Sequence, residues 1–97
     1  MNYTDAETQN YWYQVMLAAQ QAADSAKGKF PQPNYVALKV AEEAGEVVRA
    51  AVHYAEGRLG WDDVEAESIQ AIAMILRLLD EGDQVNGIIP PHRRVPE

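Results

Sequence analysis

The sequence predicts an all-α fold, a bundle of three long helices completed by association with further copies of the chain. Three observations predict it. Apolar residues recur at helical spacing over three stretches, no run alternates as a strand would, and glycine and proline fall between the stretches. With 97 residues, 47% of them hydrophobic, the chain has length for one folded domain.

The first helix opens at Thr4, because Thr4-Asp5-Ala6-Glu7 has the spacing of a capping box. It carries Tyr11, Trp12, Val15, Met16, Ala19, Ala22, Ala23 and Ala26 at helical intervals and stops near Gly28. Pro31 and Pro33 bracket a short turn. The second helix runs from about Asn34 to about Glu56, where Gly57 and Gly60 end it. The third begins around Asp62, where Asp62-Asp63-Val64-Glu65 repeats the capping-box spacing, and ends at Gly82. Residues 1–82 thus form the helical domain and residues 83–97 a proline-rich tail. Pro90, Pro91 and Pro96 forbid a regular helix there, so the tail is expected to be extended, with a partner subunit as one surface for it.

The third helix is apolar nearly all round, from Ile69, Ala71, Ile72 and Ala73 to Leu78 and Leu79. Such a helix needs neighbours on every side, and two helices cover only part of it. A homodimer or homotetramer with this helix near the interface is the expectation.

Eight basic against fifteen acidic residues give a net charge of −7. That balance excludes a binder of the nucleic acid backbone, which needs a basic stripe, but admits a nucleotide held through a divalent cation. The absence of cysteine excludes disulfides and thiolate zinc sites. The polar N-terminal stretch shows no signal peptide, and the longest apolar-rich run, 69–79, is interrupted by Gln70 and Arg77 and too short to cross a bilayer. A cytoplasmic protein without a membrane partner is expected.

The informative stretch is Lys39-Val40-Ala41-Glu42-Glu43-Ala44-Gly45-Glu46. On a helical wheel of about 100° per residue, Val36, Val40, Ala44, Val47, Ala51 and Tyr54 share one apolar arc. Glu43 falls at its edge, with Lys39 and Glu46 beside it and Glu42 further toward solvent. On the third helix, Glu67 lies between Met74 and Leu78 in the middle of an apolar face, with Gln70 and Arg77 on the same side. An ionised carboxylate there needs a partner or a metal. Packed helices lie about 8–10 Å apart, so Glu43, Glu46 and Glu67 can converge on one Mg²⁺, which favours carboxylate oxygens and is completed by substrate phosphates. The same residues also admit a plain reading. Glu43 and Glu46 can bridge Lys39 and Arg49, Glu67 can meet Arg77 of a neighbouring chain, and Glu42, Glu65 and Glu81 suit a solvated face.

The segment from Lys39 to Glu46 resembles the K-x-x-E-E-x-G-E segment of the MazG-like all-α nucleotide pyrophosphohydrolases, whose EExxE on one helix is followed by ExxD on the next. Twenty residues separate Glu46 from Glu67, which suits that pattern. The resemblance covers about half the chain. It implies hydrolysis of a nucleoside triphosphate, ribo- or deoxyribo-, to the monophosphate and pyrophosphate, with clearance of non-standard nucleotides as a role. It implies Mg²⁺, with Mn²⁺ as the alternative ion, held by Glu43, Glu46 and Glu67. Glu42 matches the first glutamate of EExxE, a ligand or the base that orients water, and Lys39 would contact phosphate or fix the glutamates. The chain departs from the pattern at Gln70, which stands where the family has aspartate; its amide oxygen can still ligate the metal or hold a metal-bound water, with one negative charge fewer. Two outcomes follow: a site working with one fewer charge, or a degenerate module that binds nucleotide or protein without turnover. A third reading is a helical dimerisation domain with no ligand. For the substrate, Trp12 is a candidate stacking surface together with Tyr11, Tyr13, Tyr35 and Trp61, and Arg77 a candidate substrate-binding residue. His53 is expected on the far side of the second helix from Glu43, and Arg93 and Arg94 in a solvated tail.

Overall fold

A computed structural model describes residues 4–95. Three α-helices follow in order: α1 over Asp5–Lys29, α2 over Val36–Ala55 and α3 over Trp61–Glu81, with a short 3₁₀ turn at Pro91–Arg93. The described residues contain no strand, only an isolated antiparallel bridge between Asp83 and Ile88. Among them, no helix is long and apolar enough to cross a membrane.

The helix ends follow from their local chemistry. Thr4 Oγ1 accepts the amide of Glu7 at 3.1 Å, and the Glu7 carboxylate accepts the Thr4 amide at 3.3 Å, closing the expected box. The third helix starts earlier than the Asp62 spacing predicts. Gly60 occupies its N-cap, and the Gly60 amide donates to the Asp63 carboxylate at 3.2 Å. At the start of α2, Tyr35 offers no side-chain cap. The acceptor comes instead from 46 residues away: the Asp83 carboxylate takes the Ala37 amide at 2.9 Å.

α3 lies in the middle, packed on one side by α1 and on the other by α2. The molecule is accordingly long and thin, 56 × 30 × 19 Å. Its buried apolar residues are small ones, Ala19 and Ala23 on α1, Val36 and Ala50 on α2, Val64 and Ala73 on α3. Small side chains let the helices approach closely but bury little volume each. Much larger side chains stay outside, among them Trp12, Tyr13, Leu38, Val48 and Leu79.

Residues 83–95 turn back over the end of α3, which corrects the expectation of an extended tail; Pro96 and Glu97 lie outside the described residues. Gly82 ends α3 at φ 76° and ψ −147°, a conformation almost confined to glycine. Asp83 is fully buried, and its carboxylate also accepts the Asn86 backbone amide at 3.0 Å and side-chain amide at 2.9 Å. Arg77, 1% exposed, forks onto Glu81 at 2.7 and 3.1 Å and donates to the Phe30 carbonyl at 2.9 Å. Gln32 joins the α1–α2 loop to the same knot, donating to the Gly82 carbonyl and accepting the Gln84 amide. Outside it, Asp80 receives Lys27 and, at 2.7 Å, Arg93.

These contacts set the carboxyl titrations. The hydrogen bonds from Lys27 and Arg93 hold Asp80 down at about 2. The Arg77 hydrogen bond keeps Glu81 below its ordinary value. Burial pushes Asp83 up, but donation from Asn86 and from the Ala37 and Asn86 amides outweighs it, and its carboxyl titrates below the ordinary range.

Two outcomes are expected. An alanine Cβ at Gly82 would overlap the Ile88 carbonyl oxygen and crowd Pro90. Gly82→Ala should therefore lower the unfolding free energy by about 2–4 kcal/mol, measured by urea titration. The depressed carboxyls stabilise the fold fully above their unfolded values and less as pH falls through the folded ones. The melting temperature should thus drop between pH 3.8 and about 2, and Asp80→Asn should flatten that drop in a pH series of thermal melts.

Candidate functional site

One groove between α2 and α3 gathers the acidic residues singled out by the sequence. A hollow of about 240 Å³ is lined by Glu46, Arg49, Ala50, His53, Asp63 and Glu67, with Leu59. A second, of about 280 Å³, includes Lys39, Glu43, Gln70, Met74 and Arg77, and reaches Phe30 and Asn34. Glu43 and Glu46 are one turn apart on α2, as are Glu67 and Gln70 on α3, so the hollows adjoin along the groove.

The reason Glu43 points inward lies in the register of α2. Its covered side carries Val36, Val40, Glu43, Val47 and Ala50, each buried or half-buried, at steps of three and four. Glu43 is therefore within the covered face, not at its edge as the wheel predicts. Ala44, Ala51 and Tyr54, expected in that arc, are exposed. Burial raises the Glu43 carboxyl above its ordinary value, and the charges of Glu67 and Glu46 raise it further; Lys39 offsets only part of this. Two helices thus bring the charges of Glu46 and Glu67 to bear on Glu43.

The neighbouring cations are weakly engaged. Lys39 lies 3.3 Å from Glu42, and Arg49 lies 3.5 Å from Glu46, both pairs half-exposed or more. Glu42 itself is exposed and lines neither hollow. Among the described residues, no three acidic or imidazole side chains are drawn together closely enough to enclose a metal ion.

Several expectations change with the geometry. His53 is on the groove side of α2, one helical repeat beyond Glu46, not on the far side; that i, i+7 spacing is the signal that could have placed it. Arg77 borders the groove, but its guanidinium is committed to Glu81 and Phe30, so it organises the fold. Glu81 and Glu65 are not solvated-face residues: Glu81 holds Arg77, and Glu65 accepts the Tyr11 hydroxyl at 2.6 Å. Trp12 is 63% exposed on α1 and lines neither hollow. Trp61 packs edge-on against Tyr54, with ring centroids 5.2 Å apart. Arg93 is bound to Asp80. Asn34 and Asp63 are groove residues that the sequence reading missed, because each also serves a local role, Asn34 donating to Phe30 and Asp63 capping α3.

Comparison with protein-family models, with curated proteins and with solved structures gave no match.

A carboxyl whose folded value is raised costs stability while ionised, and that cost disappears as pH falls toward its unfolded value. Glu43→Gln should thus melt a few degrees higher than the unaltered chain at pH 7 without divalent ions, the difference vanishing below about pH 4. Thermal melts at the two pH values measure it.

Proposed function

We propose that the chain is a Mg²⁺-dependent nucleoside triphosphate pyrophosphohydrolase of the MazG-like kind, acting as a homo-oligomer in the cytoplasm on ribo- or deoxyribonucleotides. The observation that carries the reading is the Glu43 carboxyl, pushed up by burial and by Glu67 and Glu46 in a groove open to a ligand. Such a cluster is relieved by a divalent cation, and a polyphosphate needs that cation to approach a chain of charge −7.

Glu43, Glu46 and Glu67 would hold the ion, Mg²⁺ or in its place Mn²⁺, with the Gln70 amide oxygen completing the set or holding a water. The donor set is all oxygen, which suits a hard cation, and the three carboxylates would have to draw closer together to hold it. Bound there, the ion supplies charge neutralisation at the phosphates. The chain's own residues do the rest. Lys39 stands at the rim of the Glu43 hollow, where its ammonium can meet a phosphate once released from Glu42. Glu42, on the outer side of Lys39, positions that ammonium, and the water-orienting duty implied by the resemblance requires it to turn inward. The hollow beyond Glu43, with Phe30, Asn34 and Met74, offers an apolar floor and an amide for a base.

Gln70 favours one second reading. It removes a charge from the place where the resemblance expects aspartate, so a degenerate module that binds nucleotide without cleaving it is the alternative.

Pyrophosphate release from a panel of common and modified nucleoside triphosphates, with Mg²⁺ and separately with Mn²⁺, tests both. Turnover that falls at least a hundredfold in Glu43→Ala is the expected result. Activity absent from the native chain but present in Gln70→Asp would establish the degenerate module. Silence in all three proteins, with no Mg²⁺-dependent rise in melting temperature that Glu67→Gln removes, would overturn both readings.

A further inference from the structure

The outer face of α2 has an apolar stripe that nothing in the monomer covers. Leu38, Ala41, Gly45, Val48 and Val52 follow one another at steps of three, four, three and four, and all are exposed. The large ones are about half exposed or more, Leu38 at 54%, Val48 at 63% and Val52 at 49%. At about 100° per residue, this stripe is opposite the Val36, Val40, Val47 and Ala50 side that packs on α3. Apolar positions therefore occupy roughly two thirds of the circumference of α2, and only the side toward α3 is used. A helix of that kind is a buried one.

We propose that this stripe is the contact between two copies of the chain, α2 lying antiparallel on the partner's α2 about an axis at Gly45. The sequence of the stripe selects that geometry. Its spacing reads almost the same in both directions about Gly45, so an antiparallel pair sets Leu38 on the partner's Val52 and Ala41 on the partner's Val48. The two Gly45 residues meet at the crossing, as an isologous two-fold contact requires. Charge agrees. Glu42 and Arg49 flank the stripe on the same edge, and in the antiparallel register each Glu42 faces the partner's Arg49, giving two symmetric opposite-charge pairs. A parallel two-fold pair would set the two charged edges on opposite sides of the contact and form neither pair. Gly45 also gains a reason. A Cβ there would meet nothing within 4 Å in the monomer, and glycine inside a helix costs about 0.5–1 kcal/mol relative to alanine. A second helix crossing closely at that point is what a missing side chain permits.

The surface area is consistent with a missing neighbour. The chain exposes 7019 Å², against roughly 5,500 Å² for a folded monomer of 10.8 kDa. The excess, roughly 1,500 Å², exceeds the ~800 Å² that each partner gives to an interface of standard size. The area does not name the face; the stripe's spacing and its flanking charges place the proposed contact on α2, while Ile75 and Leu79 leave α3 exposed apolar surface of its own. The inference does not depend on the proposed activity, since its readout is the mass of the assembly.

The test is sedimentation equilibrium of the full chain and of three substituted chains, with helicity followed by circular dichroism. The native chain is expected at twice the chain mass, and Val48→Glu at the chain mass with unchanged helicity. Glu42→Arg alone should weaken the dimer at least tenfold, and Glu42→Arg with Arg49→Glu should restore it, which a change in folding would not do. Orientation follows from the absence of native cysteine. Leu38→Cys and Val52→Cys proteins should form a disulfide when mixed but not separately, because only facing positions reach the Cα separation of roughly 4.4–6.8 Å that a disulfide needs. A monomeric native chain, a Val48→Glu protein still at twice the mass, or cross-linking of each cysteine protein with itself would overturn the proposal.

Discussion

The Asp83 carboxylate is the constraint on which the rest of the structure depends. It lies just beyond the end of α3, yet it caps the start of α2 through the Ala37 amide, and it receives both amides of Asn86. A buried carboxylate is costly unless donors surround it, and here they come from two elements distant in sequence. Satisfying the charge therefore fixes where α2 begins relative to where α3 ends. Glu43 follows Val36 by seven residues, two turns, so the cap also sets the height of the first groove carboxylate against Gln70 and Glu67. Arg77 and Gln32 act on the same end. Arg77 binds the α1–α2 loop through the Phe30 carbonyl, and Gln32 grips the backbone on both sides of Asp83, at the Gly82 carbonyl and the Gln84 amide. No buried side-chain nitrogen or oxygen among the described residues is left without a partner.

The helices were legible in the sequence because their punctuation is local. Thr4 with Glu7, the Pro31–Pro33 turn, and Gly57, Gly60 and Gly82 mark the ends by backbone chemistry that neighbouring residues determine. The knot at Asp83 was not legible. Gly82-Asp83 and Asn86-Gly87 read as turn residues, but the partner that matters, the Ala37 amide, is 46 positions away and leaves no periodic trace. Glu65 and Glu81 were misread for the same reason: a glutamate on a helix reads as solvated unless its partner, Tyr11 or Arg77, is known to face it. Arg77 was assigned to a ligand, because periodicity places it on the groove side but cannot report that its donors are already used.

The misplacement of Glu43 has a different origin. A wheel finds the mean direction of all apolar residues, and α2 has two apolar directions, one toward α3 and one outward. Averaging them moves the apparent centre toward Ala44 and Ala51 and leaves Glu43 at the margin. Measured from the covered side alone, Glu43 is central, and His53 joins the groove. The error in the wheel and the uncovered stripe are thus one fact about α2.

The electrostatics of the groove follow from how few cations reach it. Arg77 is bound to Glu81, Lys39 to Glu42, and among the described residues only Arg49 touches a groove carboxylate, at 3.5 Å and largely in solvent. Two carboxylates about 6 Å apart repel by roughly 2–3 kcal/mol at an effective dielectric near 20. Gln70 is exposed, so an aspartate in its place would add repulsion of the same sign but damped by solvent. A divalent cation reverses the sign, because each carboxylate then gains from twice the charge at a shorter distance. Under the proposed function, Gln70 would therefore trade a weaker pull on the ion for less repulsion among the groove carboxylates, and the phosphate oxygens of a nucleotide would supply the charge that the protein withholds.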